Sequence, residues 1–313
     1  MTTDVLLTID TELMWRSGVT RSSLDALFAA SWDPAGAGVP YQLALLERHR
    51  LSACFFVDPM PACVYGIDPI RRMVEPILAA GQEVQLHLHP QWASLVDGVP
   101  TRSFELTGYD EAEQRALLEK GIALLMEAGA PRPIAFRAGS YAANDATLRA
   151  AAALGLRFES SHNGAYHPDT SAIDVPAERI APLFHQGVWE VPVTVIRTAG
   201  GLRTLQICAV SRGELEAALR HAMDGGHRTV TLVSHSFELA ARNGRRRNRV
   251  HAARFAGLCA FLDCNRTRLP TRRFDALRLE GDYPDVQPLP ASRPRTLRRH
   301  LSQLWSNLVE ERG

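Results

Sequence analysis

The chain has 313 residues, 46% hydrophobic and 22% charged, with a formal charge of +1; these are values of a soluble globular protein with a sizeable core, and they exclude disorder as its main state. So balanced a charge gives no global field for nucleic acid, and no nucleic-acid partner is expected. The five cysteines, Cys54, Cys63, Cys208, Cys259 and Cys264, are odd in number and contain no C-x-x-C pair, which argues against a disulfide framework and a zinc knuckle and for free thiols in a reducing compartment.

In chain order, short apolar runs alternate with helical patterns. VLLTI from Val5 reads as a strand, Arg16 to Gly38 as a long loop and Val39 to His49 as a helix. ACFFV from Ala53 is the second strand, Pro69 to Ala80 a helix stopped by Gly81, and VQLHL from Val84 the third strand. Gln91 to Tyr109 forms another long loop, and loops of such length are more often lids or binding loops than accidents. Then come a helix over Asp110 to Ala128, PIAFR from Pro133, a helix over Asp145 to Leu154 with Asn144 as its cap, and LRFES from Leu156. VWEVPVTVI from Val188, a helix over Arg212 to Asp224, TVTLVSH from Thr229 and a helix over Asn248 to Leu262 complete the pattern. This alternation builds βα units on a parallel sheet, and seven or so repeats favour a barrel over an open sheet.

The expected organisation is one domain over residues 1–285 and a tail over 286–313. In the tail, Leu297, Leu301, Leu304, Trp305 and Leu308 fall on one helical face with arginines nearby. Such a helix packs on its own domain or on a second subunit, or lies on a membrane surface. MTTDVLLTID lacks the features of a signal peptide, so a cytoplasmic protein is expected, peripheral to the inner membrane face if the tail binds lipid. The oligomeric state is not readable from sequence.

Ionisable groups stand where the strands end, the edge at which α/β barrels build active sites. Asp10 and Glu12 follow VLLTI, His87 and His89 end VQLHL, Arg137 ends PIAFR, and His235 ends TVTLVSH. Two residues apart on an extended segment, His87 and His89 point to one side. Two imidazoles and one carboxylate leave a metal coordination position open for water, the pattern of catalytic zinc. The metal lowers the pKa of that water, a nearby carboxylate serves as general base and a histidine opposite as general acid. Asp10, Glu12 and His235 supply the groups required. A serine nucleophile at Ser140, Ser234 or Ser236 is disfavoured because no G-x-S-x-G elbow occurs. A non-haem iron oxygenase, which also uses two histidines and a carboxylate, is disfavoured by the H-L-H spacing and the βα alternation.

Taken in order, these strand ends resemble the motifs of the polysaccharide deacetylases, carbohydrate esterase family 4. TIDTE resembles the acidic first motif, which implies Asp10 as catalytic base and Glu12 as metal carboxylate. EVQLHLHPQW resembles the second, in a divergent H-x-H-P form: Gln91 stands at the usual second histidine position, so His89 joins His87. FRAGSY resembles the third, implying that Arg137 orients the base and that Ser140 or Tyr141 supplies an oxyanion-binding amide. FESSHNG, with Glu159 in place of the usual aspartate, and VWEVPV around Trp189 resemble the fourth. LVSHSFE resembles the last and makes His235 the general acid.

The resemblance spans roughly residues 5 to 238. It implies a distorted (β/α) barrel of about seven parallel strands, a divalent metal, zinc in the usual case, and hydrolysis of an acyl group on a sugar. The expected substrate is a sugar-bearing small molecule or a lipid-linked sugar, losing acetyl or formyl from its amine during surface polysaccharide assembly. Hydrolysis of a non-sugar amide and a catalytically silent glycan-binding protein are the competing readings. Trp15, Trp32 and Trp92 lie in or beside the long loops, where a ring stacks on a sugar or packs in a lid. His162, His167 and His185 read as surface or supporting residues. The arginines of ARNGRRRNRV read as a solvated helix start or as a site for substrate phosphate or carboxylate.

Overall fold

The computed structural model describes residues 2–14, 24–96 and 99–310. Its centre is an eight-stranded sheet. The strands are β1 (Asp4–Thr11), β2 (Cys54–Val57), β3 (Glu83–Leu88), β4 (Ala135–Ala138), β5 (Phe158–Glu159), β6 (Leu183–His185), β7 (Val188–Glu190) and β8 (Thr229–His235). Their spatial order is β6, β7, β5, β4, β3, β2, β1, β8. Every neighbouring pair is parallel except β6 with β7. The sheet thus has seven parallel strands and one antiparallel edge strand, a distorted (β/α) barrel of the expected class.

The two sides of the barrel meet through irregular backbone. Val193 N–H donates to His162 O at 2.9 Å beyond β5, and Thr194 N–H donates to Thr231 O of β8 at 3.2 Å. Val233 N–H donates to Leu205 O, and Ile207 N–H to Val233 O. The run from Val188 is therefore not one strand. It breaks at Pro192, which has no N–H to give a ladder, and resumes as a hairpin of Val195–Thr198 with Gly201–Thr204.

Among the described residues, seven helices of nine residues or more wrap the sheet, besides a single turn over Ala62–Tyr65: α1 (Leu24–Trp32), α2 (Val39–His49), α3 (Asp68–Ala79), α4 (Glu111–Glu127), α5 (Asp145–Ala153), α6 (Arg212–Asp224) and α7 (Arg249–Cys264). An eighth, α8 (Arg293–Trp305), follows the barrel. Capping boxes begin α4, α5 and α6, at Asp110 with Glu113, Asn144 with Thr147 and Ser211 with Glu214. Each satisfies two amide donors that the first helical turn leaves unpaired. Asn248 caps α7 by accepting from the Val250 and His251 N–H groups. No helix among the described residues is long and apolar enough to cross a membrane.

Alternation along β1 sorts its side chains between two layers. Val5, Leu7 and Ile9 join the large apolar cluster beneath the helices. Leu6 points inside and packs with Phe56, Ala135, Phe158 and Phe274, which fill the barrel floor. Thr8 and Asp10 continue the same inward row, so the chemistry rests on a dry, filled base.

Both long loops carry regular structure. The first contains α1, which buries Leu27, Phe28 and Ser31, and its expected loop is corrected over that span; Trp15 lies outside the described residues. The second contains a 3₁₀ turn over Pro90–Ser94 and a short hairpin of Leu95–Val96 with Val99–Pro100.

Candidate active site

At the carboxyl ends of the strands, register sets the first contacts. Asp10 of β1 is level with His235 of β8, and His87 of β3 with Arg137 of β4. Arg137 is fully buried and spends its guanidinium on four bonds: Nη1 to Asp10 Oδ1 and Thr8 Oγ1 at 2.8 Å each, Nε to Ser160 O at 2.9 Å and Nη2 to Ser160 Oγ at 3.0 Å. Its Cζ also lies 4.4 Å from the centre of the Phe56 ring. Burial pushes the Asp10 carboxyl up, but the charges of Arg137, His87 and His235 and the Arg137 bond outweigh it and hold the group below its ordinary value. Asp10 is thus an ionised carboxylate with one oxygen tied and the other, Oδ2, 3.9 Å from His235 Nε2.

Glu12, His87 and His89 each direct one ligand atom to a common point, the three atoms lying within 4.8 Å of one another. Glu12 Oε2 contacts His89 Nε2 closely and stands 3.5 Å from His87 Nε2. His87 Nδ1 lies 2.8 Å from Arg137 O; only an N–H there can bond a carbonyl, so Nε2 keeps its lone pair for the site. Burial opposes charge on Glu12, yet the two histidines hold its carboxyl well below the usual range. Burial likewise disfavours the His89 imidazolium, but Glu12, Asp58 and Asp10 raise its pKa to about 9. So strong an anionic pull on a small space suits a divalent cation. The donor set of two imidazoles and one carboxylate with an open side is that of catalytic zinc.

On the opposite wall, His235 Nδ1 lies 3.0 Å from Glu238 Oε2. Glu238 is itself fixed by the Gln206 side-chain amide at 2.8 Å and by the Cys208 N–H at 2.8 Å. Desolvation lowers the pKa of His235, and the Glu238 bond together with the Asp10 and Glu238 charges raises it to about 9. Near neutral pH this imidazole carries a proton to donate.

Ser140 and Tyr141 occupy the turn after β4, both with positive φ, 55° and 58°. They line a cavity of about 410 Å³ together with Asp10, Glu12, His87, His89 and His235. A second cavity of about 690 Å³ shares Glu12, Gln206 and His235 with the first and extends past Arg242 to Gln303 and Asn307 of the C-terminal segment.

Eight of the expected residues therefore converge: Asp10, Glu12, His87, His89, Arg137, Ser140, Tyr141 and His235. Trp92 and Trp189 do not. Trp92 is 2% exposed and packs edge-on against Tyr65, buried by the 3₁₀ turn that Pro90 begins. Trp189 packs against Phe184 and Tyr283 with the barrel-floor cluster, away from the strand ends that hold the site. His162 is buried, its Nε2 3.1 Å from Pro176 O, while His167 and His185 bond to Ser171 O and Asp145. Glu159 accepts from the Ser161 N–H and hydroxyl and lines neither cavity.

Three supporting residues were not foreseen. Glu238 lies one helical turn's spacing past His235, a signal readable only once His235 is placed. Gly139 lets the β4 turn approach His89 so closely that a Cβ there would meet Nδ1 at 2.4 Å. Asp58, fully buried at the end of β2, binds the Met60 N–H through Oδ1, and burial pushes its pKa up to about 6 against the pull of His89 and His87.

No family model matches the chain, and no curated protein does. Among solved structures, one from Mycobacterium smegmatis, described as a polysaccharide deacetylase, is 20% identical, with 89% of this chain and 95% of that one covered and a TM-score of 0.55. Another so described, from Pseudomonas aeruginosa, is 13% identical over 87% of this chain and 88% of that one, with a TM-score of 0.53. The chain has the polysaccharide deacetylase fold.

Proposed function

We propose that the protein is a metal-dependent hydrolase that removes an acetyl or formyl group from the nitrogen of an amino sugar. The observation that carries this reading is the convergence of Glu12, His87 and His89 on one point between an arginine-held carboxylate, Asp10, and a carboxylate-held imidazole, His235.

Glu12, His87 and His89 would hold the ion, which when bound makes water a nucleophile near neutral pH and polarises the acyl carbonyl. Asp10 accepts the proton of the attacking water on Oδ2, the oxygen that Arg137 leaves free. His235 gives its proton to the departing amine, and Glu238 keeps the ring charged and aimed until it does. Backbone at the Ser140–Tyr141 turn offers an amide to the developing oxyanion, and one well-placed donor of that kind contributes about 3 to 4 kcal/mol. Because Oδ2 of Asp10 and Nε2 of His235 face each other at 3.9 Å, base and acid address the same acyl centre from adjacent strands.

The substrate class extends this reading to a sugar-bearing small molecule or lipid-linked sugar on the route to a surface polysaccharide. The free thiols of Cys63 and Cys264, both exposed, suit the reducing cytoplasm as its location. Metal content measured by mass spectrometry tests the centre: about one equivalent of zinc or another divalent ion, lost in a His87→Ala, His89→Ala variant that still folds, is the expected result. Turnover of N-acetyl or N-formyl amino sugars in preference to small amides then tests the substrate class. Carbohydrate binding with neither metal nor turnover, even after divalent ions are supplied, would instead make the protein a glycan-binding relative.

A further inference from the structure

The helix α8 meets the barrel with its polar side. Arg299, 4% exposed, donates from Nη1 to Glu214 Oε1 at 2.8 Å. Ser302 Oγ accepts from Arg254 Nη2 at 2.9 Å, and Ser306 Oγ accepts from the Asn248 amide at 2.9 Å. The opposite side carries Leu297, Leu301, Leu304 and Trp305, and the helical turn that continues α8 over Ser306–Glu310 adds Leu308, each 54% to 60% exposed. Spaced three and four apart, they form one stripe along about 16 Å of helix. This is the reverse of the usual arrangement, in which a surface helix turns its apolar stripe inward, and a contiguous exposed apolar face marks a binding surface.

Charge decides what the stripe meets. Arg293, Arg298 and His300 are exposed beside it, and residues 286–308 contain no aspartate or glutamate. The neighbouring turn, joined to α8 by the bond between Asn248 and Ser306, carries Arg242, Arg245, Arg246, Arg247 and Arg249, and residues 241–250 contain no acid either. Glu310 and Glu311 follow at the end of the tail, and the five arginines of the turn with Arg293, Arg295 and Arg298 outnumber them, so this corner of a chain of net charge +1 is cationic. Beside the stripe itself the exposed charges are Arg293 and Arg298, so a second copy seated there about a twofold axis would set arginine against arginine. Anionic lipid supplies both an apolar layer for the leucines and phosphates for the arginines.

We propose that α8 docks the protein on an anionic membrane surface, the leucines and Trp305 seated at the boundary of headgroups and acyl chains and the flanking arginines on lipid phosphates. The cavity that reaches Glu12 and His235 begins beside this helix, at Gln303 and Asn307. A sugar carried on a lipid therefore reaches the catalytic groups without leaving the surface; that corollary rests on the hydrolase reading, whereas the docking does not.

Sedimentation of the full chain with vesicles is the test, using phosphatidylcholine alone and phosphatidylcholine mixed with phosphatidylglycerol. The wild type is expected to bind the mixed vesicles, more weakly at high salt, and a Leu301→Glu, Leu304→Glu variant to bind them at least about tenfold less. The two leucines face away from the barrel, so the variant is expected to keep the wild-type melting temperature, and also its metal content, which separates a failure of docking from a failure of the hydrolase reading. No binding by the wild type, or equal binding by the variant, overturns the proposal. So does a wild-type dimer in light scattering that the variant converts to monomer, because the face would then belong to a second copy.

Discussion

Replacing Arg137 with methionine removes the buried charge that balances Asp10, and the consequence can be worked from the contacts. Thr8 Oγ1 still donates to Leu232 O, and Ser160 Oγ still donates to Val191 O, so those two hydroxyls keep a partner. The Asp10 carboxylate, 2% exposed, does not keep its own. Breaking one side of a buried ion pair costs about 3 to 5 kcal/mol, and that is the expected loss in urea unfolding of the metal-free protein. Adding Asp10→Asn neutralises the stranded carboxyl, so the double variant should cost less than the sum of the singles by about 1 to 3 kcal/mol. Strictly additive losses, or a loss under about 1 kcal/mol for Arg137→Met, would refute the view that this pair holds Asp10 ionised. The pH dependence gives an independent check. The folded pKa of Asp10 is depressed, so the stability it contributes is present above its unfolded value and is lost as pH falls through the folded one. In Arg137→Met burial is no longer opposed by the guanidinium, the folded pKa of Asp10 rises, and the loss of stability on acidification should shrink or reverse relative to wild type.

Asp10→Asn should leave metal bound while lowering turnover by about 10²- to 10⁴-fold, as expected for removal of a general base; metal analysis beside a rate assay checks both halves. His235 has a folded pKa raised to about 9 from an ordinary 6.5, so its contribution to stability is complete below pH 6.5 and fades as pH rises through 9. Glu238→Gln should flatten melting temperature against pH across that window relative to wild type. Gly139→Ala puts a methyl 2.4 Å from His89 Nδ1 and should weaken zinc binding by about 10- to 100-fold, the usual consequence of disturbing a ligand's supporting contacts, with circular dichroism unchanged. Asn248→Ala removes the cap of α7 and should cost about 1 kcal/mol of stability in denaturant unfolding.

What could be read in advance divides along physical lines. The strand ends were legible because a parallel barrel needs continuous apolar runs and places its polar groups where those runs stop, so Asp10, His87, Arg137 and His235 announce themselves by position. The helix α1 was not, because Gly18, Asp33, Pro34 and Gly38 around it carry the composition of a loop, and its apolar face of Leu27 and Phe28 is short. Trp92 misled for a related reason: a ring beside a long loop looks available until the 3₁₀ turn at Pro90 folds it beneath Tyr65. The break at Pro192 turned one apparent strand into two, since propensity sees the valines on both sides and not the missing amide between them. Contacts at long sequence separation were the least visible. Nothing in the neighbourhood of Gly139 names His89 as the atom it must make room for, and Glu238 gains its meaning only from the ring it holds.

The hairpin of Val195–Thr198 and Gly201–Thr204 leaves the barrel wall and returns to it at nearly the same place. Leu205 N–H donates to Thr194 O at 2.8 Å, so departure and return are one hydrogen bond apart, and the closing contacts to β8 lie outside the excursion. Changing the length of a flexible connection costs only about 0.6 kcal/mol per doubling. The exposed turn at residues 199 and 200 is therefore a place where the chain can lengthen or shorten without reopening the barrel, and where new sequence would arrive beside Ala291 and Leu297 of the C-terminal segment.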